Sequence, residues 1–141
     1  MSLQVQPVPR SHPVIVRVDD DEHIAYLLDF LLERNGYIVI SASDGQEFVD
    51  LLERAPAPDL ILLDIMLPYF DGFELIKRVR KNEAWKDTPI LVLSSCQNEK
   101  DVVQGLDAGA NDYITKPFQP MELIARIKRL LGSNDGNINT N

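Results

Sequence analysis

At 141 residues the chain suits one domain with a single substantial core, and its 45% hydrophobic and 26% charged composition is that of a soluble globular protein. No apolar stretch approaches the ~20 residues needed to span a bilayer, and the formal charge of −8 argues against this segment gripping nucleic acid by itself. The single cysteine, Cys96, excludes an internal disulfide and a multi-cysteine zinc site. An acidic surplus suits a cation or a partner with a basic surface.

Residues 1–12 hold Pro7 and Pro9 without periodicity and read as a loose arm. They show no basic region followed by an apolar run, so no signal peptide is expected and a reducing, cytoplasmic setting is. Val14–Val18 is a short β-branched strand that runs into Asp19, Asp20 and Asp21. The next helix carries Ile24, Leu27, Leu28, Leu31 and Leu32 on one stripe and stops at Asn35-Gly36. Tyr37–Ile40 is a second strand. Asp44 caps a helix with Phe48, Leu51 and Leu52 inward, ending before Pro56 and Pro58. Leu60–Leu63 is an unbroken apolar strand running into Asp64, as expected for one buried on both faces.

After Pro68 and Gly72 comes a helix with Phe73, Leu75, Ile76 and Val79. Pro89 precedes the strand Ile90–Leu93, which runs into Ser94 and Ser95. Asn98, with Asp101 three residues on, resembles a capping box and opens a helix running to Gly109. Tyr113–Thr115 is the fifth strand and runs into Lys116. Pro120 opens the last helix, which shows Leu123, Ile124, Ile127, Leu130 and Leu131 and stops at Gly132. Residues 132–141 are polar and turn-rich, a disordered tail or the start of a linker. The folded domain is expected over 13–131.

Five alternating βα units predict an α/β fold, a doubly wound parallel sheet with helices on both faces. Ligands of such sheets sit beyond the carboxyl ends of the strands. There this chain places Asp19–Asp21, Asp64, Ser94 and Lys116. Three consecutive acids repel one another unless a cation sits among them, and a hard cation such as Mg²⁺ takes oxygen ligands. The plainer use of an acid before a helix is capping, and one of the three, Asp21, is expected to do that. Asp64 is either a strand terminator or a third acid of the same pocket; a carboxylate can also be a nucleophile toward phosphorus. Lys116 is a solvated lysine or an ammonium that neutralises acids and then a phosphoryl oxygen. Its bond to Pro117 invites a cis peptide. Ser94 is a turn residue or a hydroxyl donor to the same oxygen.

Four stretches carry a family resemblance: Val18-Asp19-Asp20-Asp21-Glu22; Leu63-Asp64-Ile65-Met66-Leu67-Pro68 with Asp71-Gly72; Leu93-Ser94-Ser95; and Gly109-Ala110-Asn111-Asp112-Tyr113-Ile114-Thr115-Lys116-Pro117-Phe118. From Pro13 to Leu131 the chain resembles the receiver domain of two-component response regulators. The resemblance implies a flavodoxin-like (βα)5 fold, a five-stranded parallel sheet in order 2-1-3-4-5. It implies that Asp64 accepts a phosphoryl group from a histidine kinase. Asp20, Asp64 and the Met66 carbonyl would ligate Mg²⁺, with Asp19 acting through water. Lys116 would pair with the phosphoryl group, Ser94 would swing toward it and Tyr113 would follow inward. The protein would be a signalling phospho-receiver rather than a dedicated enzyme.

Several positions depart from that pattern. Arg17 stands in the first strand, where an apolar residue is usual. Met66 and Cys96 lie two residues past Asp64 and Ser94 and are poor hydrogen-bonding groups where the family often positions a hydrolytic water. Slow loss of the phosphoryl group is therefore expected. Cys96 itself reads as a small buried residue. The last third resembles receivers that feed winged-helix transcription factors and dimerise through the fourth helix, fifth strand and fifth helix. Asp107, Asp112, Glu122, Arg126 and Lys128 are candidates for salt bridges there, although Val102 stands where a basic partner for Glu122 is usual. The effector, joined or separate, is absent from these 141 residues; no membrane contact and no direct nucleic-acid contact are expected.

Rival readings fare worse. An aspartyl phosphatase expects an Asp-x-Asp pair closing the first strand. A flavin binder needs a Ser/Thr/Gly-rich phosphate loop after that strand, and this loop is acidic. A dinucleotide enzyme lacks its Gly-x-Gly-x-x-Gly. The remaining alternative is a degenerate receiver that acts only as a protein-binding module, and it is disfavoured because Asp19, Asp20, Asp64, Ser94 and Lys116 are all in place.

Overall fold

A computed structural model describes residues 12–135. Its main sheet has strands β1 (Val14–Val18), β2 (Ile38–Ala42), β3 (Leu60–Leu63), β4 (Ile90–Ser94) and β5 (Asp112–Thr115). Their order is 2-1-3-4-5, all parallel, as the resemblance implied. The helices are α1 (Glu22–Arg34), α2 (Gly45–Arg54), α3 (Gly72–Lys81), α4 (Glu99–Ala108) and α5 (Pro120–Asp135). A two-stranded antiparallel hairpin, Met66–Leu67 with Phe70–Asp71, follows β3; its strands are too short for any periodic pattern to announce them.

The pleat sends alternate strand residues to two cores. Val16, Val18, Ile61, Leu63, Ile90 and Val92 pack with α2 and α3. Ile15, Leu60, Leu62, Leu91, Leu93 and Ile114 pack with α1 and α5. β3 and β4 are buried along their whole length. Edge strand β2 leaves Ile38 and Ile40 exposed. Trp85, which the periodicity did not single out, is fully buried, packs edge-on against Phe48 and donates Nε1–H to the Ala55 carbonyl at 3.1 Å.

The caps fall where the sequence put them. Asp21 accepts from the amides of His23 and Ile24, Asp44 from Glu47, and Asn98 from Asp101. Gly36 and Gly109 end helices with φ of 88° and 126°. Gly132 does not: α5 runs through it to Asp135, because its φ stays out of the left-handed region and a helical glycine costs only ~1 kcal/mol. The predicted tail therefore starts as helix over 132–135, and 136–141 lie outside the described residues, as does the arm apart from His12. The stripe of α1 is narrower than predicted, with Leu28 and Leu32 buried and Leu27 41% exposed. The second strand is shifted from 37–40 to 38–42, with Tyr37 buried beside α1.

Arg80, at the end of α3, has a guanidinium that binds three backbone carbonyls on two segments. It donates to the Gly109 carbonyl twice (3.0 and 2.8 Å), to Lys86 and Thr88 carbonyls (2.9 and 2.7 Å) and to Asn111 Oδ1 (2.8 Å). A Cβ at position 109 would meet Arg80 Cγ at 2.8 Å, so glycine there is required by space as well as by φ. The amino-terminal part of α4 has no such anchor, and α4 buries only Gly105 completely.

Candidate functional site

At the carboxyl edge, β1 delivers Asp19, β3 delivers Asp64 and the turn after β5 delivers Lys116. Lys116 Nζ donates to Asp19 Oδ2 at 3.1 Å and to Asp64 Oδ2 at 3.0 Å, so one ammonium bridges two carboxylates. The remaining oxygens take backbone amides: Asp19 Oδ1 from Asp21 (2.9 Å) and Asp64 Oδ1 from Met66 (2.8 Å). Both acids are buried, at 2% and 6% exposure, whereas Asp20 is exposed. One oxygen from each of Asp19, Asp20 and Asp64 lies within 4.8 Å of the others.

The electrostatics are out of balance, three carboxylates facing one ammonium. Burial pushes the Asp19 carboxyl above its ordinary value, outweighing the Asp21 amide and Lys116 that favour its charge. Burial alone would depress Lys116, but the bonds and charges of Asp64, then Asp19, hold it above the usual lysine value. A set of hard oxygen donors with surplus negative charge fits a small divalent cation, which takes oxygen ligands and retains water on its open side. Asp21 stands apart as the cap of α1.

Ser94 is fully buried at the end of β4, and its Oγ accepts the Cys96 amide at 3.2 Å. Tyr113 donates its hydroxyl to the Cys96 carbonyl at 2.8 Å. Desolvation raises the phenol's pKa. The ring lies over Gly105 of α4, where a Cβ would come within 3.3 Å of it. Ser94, Cys96 and Tyr113 are thus one connected unit under α4. Cys96 is half-buried, not buried as expected, because its segment leaves the sheet toward solvent. The Met66 side chain is 58% exposed while its amide holds Asp64. The Lys116–Pro117 peptide is cis.

Arg17 has a partner that sequence reasoning did not find. Its Nε and Nη2 donate to both oxygens of Asp29 on α1, at 2.8 and 2.9 Å, in a fork-to-fork pair. Asp29 was hidden because it breaks no periodicity on its helix. Three of the charges considered for an intersubunit interface, Asp112, Glu122 and Arg126, are joined within the chain. Arg126 binds Asp112 (2.9 and 3.1 Å) and Glu122 (2.8 Å), and Arg129 binds Asp112 (2.8 Å). Asp107 and Lys128 are not in this network.

The 2-1-3-4-5 sheet with acids and a lysine at its carboxyl edge is the architecture of a signal receiver. The family description of the response regulator receiver domain matches residues 15–128, and the chain belongs to that family. It is 50% identical over 117 residues, 83% of this chain, to the alkaline phosphatase synthesis transcriptional regulatory protein PhoP of Bacillus subtilis (strain 168). That match takes in 48% of PhoP, so the chain spans about half the length of this relative. The receiver domain of the Francisella response regulator 1452 superposes with a TM-score of 0.80 at 36% identity, covering 87% of this chain and 99% of that one. The receiver domain of the Pseudomonas aeruginosa sensor histidine kinase PA1611, solved with magnesium coordinated in its active-site cleft, superposes at 0.79 with 32% identity, covering 86% and 99%.

Proposed function

We propose that the chain is a phospho-accepting receiver in which Asp64 takes a phosphoryl group from a phosphohistidine of a histidine kinase. The observation that carries this reading is the Lys116 ammonium held between two buried carboxylates, with the exposed Asp20 completing the acidic set. A carboxylate oxygen of Asp64 attacks phosphorus, a P–O bond forms, the P–N bond breaks and the imidazole leaves with the electron pair. Asp20, Asp64 and the Met66 carbonyl, with Asp19 through water, would hold Mg²⁺, as the magnesium-bearing Pseudomonas receiver suggests. When bound, the ion supplies positive charge to the phosphoryl oxygens. Lys116 turns from Asp19 to those oxygens, and Ser94 donates its hydroxyl to one of them. Tyr113, already tied to the same backbone turn, carries the change to the α4–β5–α5 face.

That face is proposed to control an effector, joined to this chain or separate. The transcriptional role of the PhoP relative favours a DNA-binding one. The functional unit is taken as residues 13–131, working in the cytoplasm; no described helix is long and apolar enough to cross a membrane. A homodimer through this face has to reopen the Arg126–Asp112–Glu122 network or use other contacts. Met66 and Cys96 offer little to orient a hydrolytic water, so the phosphoryl group should persist.

The test is intact mass after incubation with acetyl phosphate and Mg²⁺. Wild type should gain ~80 Da, the mass of a phosphoryl group transferred to the carboxylate, and Asp64→Asn should gain nothing. A wild type that stays unmodified while still binding a kinase would favour the protein-binding module. An adduct half-life of seconds, unchanged in Met66→Asn, would overturn the slow-hydrolysis reading.

A further inference from the structure

The hairpin after β3 turns through Tyr69, the one non-glycine described residue with positive φ, at 65°. Its side chain is fully exposed, at 101%, so no contact within the chain holds it there. The left-handed region is unfavourable for a bulky residue, and such strain persists only where the surroundings impose it. Here they do. Leu67 is buried, Phe70 lies against Gly45 at the start of α2, where a Cβ would fall 2.3 Å from the ring, and Gly72 lies against Ile65 with a Cβ clash of the same size. The turn is therefore built rigidly and holds out an aromatic ring that folding does not use.

Its position is informative. The hairpin's first residue, Met66, donates its amide to Asp64, and the side chain of Met66 is exposed beside it. Phe70 ties the hairpin to the amino end of α2, which lies at the same carboxyl edge of the sheet. Asp64 itself is 6% exposed, so a donor reaches it only across the loops at this edge of the sheet, and the hairpin is one of them. A donor the size of acetyl phosphate passes without needing the ring, whereas a protein bearing a phosphohistidine lays surface against it. Resting on the reading of Asp64 as acceptor, we propose that Tyr69 is a docking residue for the protein phosphodonor, an apolar aromatic anchor at the mouth of the site. Aromatic side chains suit that use because they bring large contact area at low entropic cost.

The experiment compares two donors on the same variants: acetyl phosphate, and the autophosphorylated cytoplasmic core of a histidine kinase selected because it labels the wild-type chain. Tyr69→Asn removes the ring but tolerates the left-handed turn, and Tyr69→Phe retains the ring. The ratio of the kinase-driven rate to the acetyl-phosphate rate should fall at least fivefold in Tyr69→Asn and stay within twofold of wild type in Tyr69→Phe. Tyr69→Gly should show the same loss with a raised thermal midpoint, since it relieves the turn. An unchanged ratio in Tyr69→Asn overturns the proposal, as does an equal fall in Tyr69→Phe, which keeps the ring. Failure of acetyl phosphate to label wild type would instead strike the acceptor reading itself.

Discussion

β1 feeds two buried ionic clusters two residues apart, and they are opposites. Arg17 meets Asp29 in a closed pair, one charge of each sign, with two parallel hydrogen bonds. Asp19 meets Asp64 and Lys116 in an open cluster where carboxylates outnumber the ammonium and the exposed Asp20 adds another. The closed pair locks α1 to the sheet and has no capacity left for a ligand. The open one keeps buried negative charge that its own residues do not neutralise, the condition that favours a divalent cation among oxygen ligands. Arg17 points to the α1 and α5 side of the sheet, and Asp19 lies past its edge.

Mutation should separate the two. Arg17→Met leaves Asp29 beside an apolar strand without a partner. A loss of about 3 kcal/mol is expected from urea unfolding, the low end for a broken buried pair because the Asp29 side chain is 33% exposed. Adding Asp29→Leu should restore most of it. A loss under about 0.5 kcal/mol would show that the pair does not lock α1.

At the open cluster the sign reverses. Asp19→Asn removes a buried carboxylate whose charged form is disfavoured, so in EDTA its melting temperature should equal or exceed that of wild type. Mg²⁺ at ten times its dissociation constant should stabilise wild type by about 1.4 kcal/mol. The same concentration should stabilise Asp19→Asn by less than half as much. Equal gains in both would remove Asp19 from the ion's surroundings.

The smallest effect is alkaline. Lys116 has a folded-state pKa raised above its ordinary 10.5, so its contribution is complete below that value and is lost as pH rises through the folded-state pKa. Tyr37, raised from 10.0 by burial, acts in the same direction. Urea midpoints at about pH 9 and about pH 11 should fall further apart in wild type than in Lys116→Met. Equal drops would mean that Tyr37 or other groups account for the slope.

The contrast also marks what the sequence could tell. Asp19, Asp64, Ser94 and Lys116 were legible because each ends an apolar run, and a parallel sheet gathers such ends at one edge. The strand order followed from family motifs rather than from periodicity. Arg17 was visible as an anomaly but not explained, because its partner lies on a helix face whose register the sequence does not fix. Tyr69 was invisible because nothing local announces a positive φ in a non-glycine residue; it is imposed by Phe70 against Gly45 and Gly72 against Ile65. Asp112, Glu122 and Arg126 were recognised as charges able to pair, but not that they pair with one another within the chain, since opposite charges in a sequence do not say which partner they meet.

The Arg80 clamp gives α4 a fulcrum. Five hydrogen bonds fasten the far end of the helix through Gly109 and the strands beside it, while the near end follows directly from Ser94 and Cys96. Ten residues of helix make a lever about 15 Å long. A rigid tilt of about 10° about the clamped end leaves Gly109 in place and carries Asn98 through roughly 2–3 Å. In the proposed switch, displacement at the acidic pocket would be spent at the end of α4 nearest the pocket, and the edge of α4 beside Gly109 would be the fixed reference against which a partner reads it.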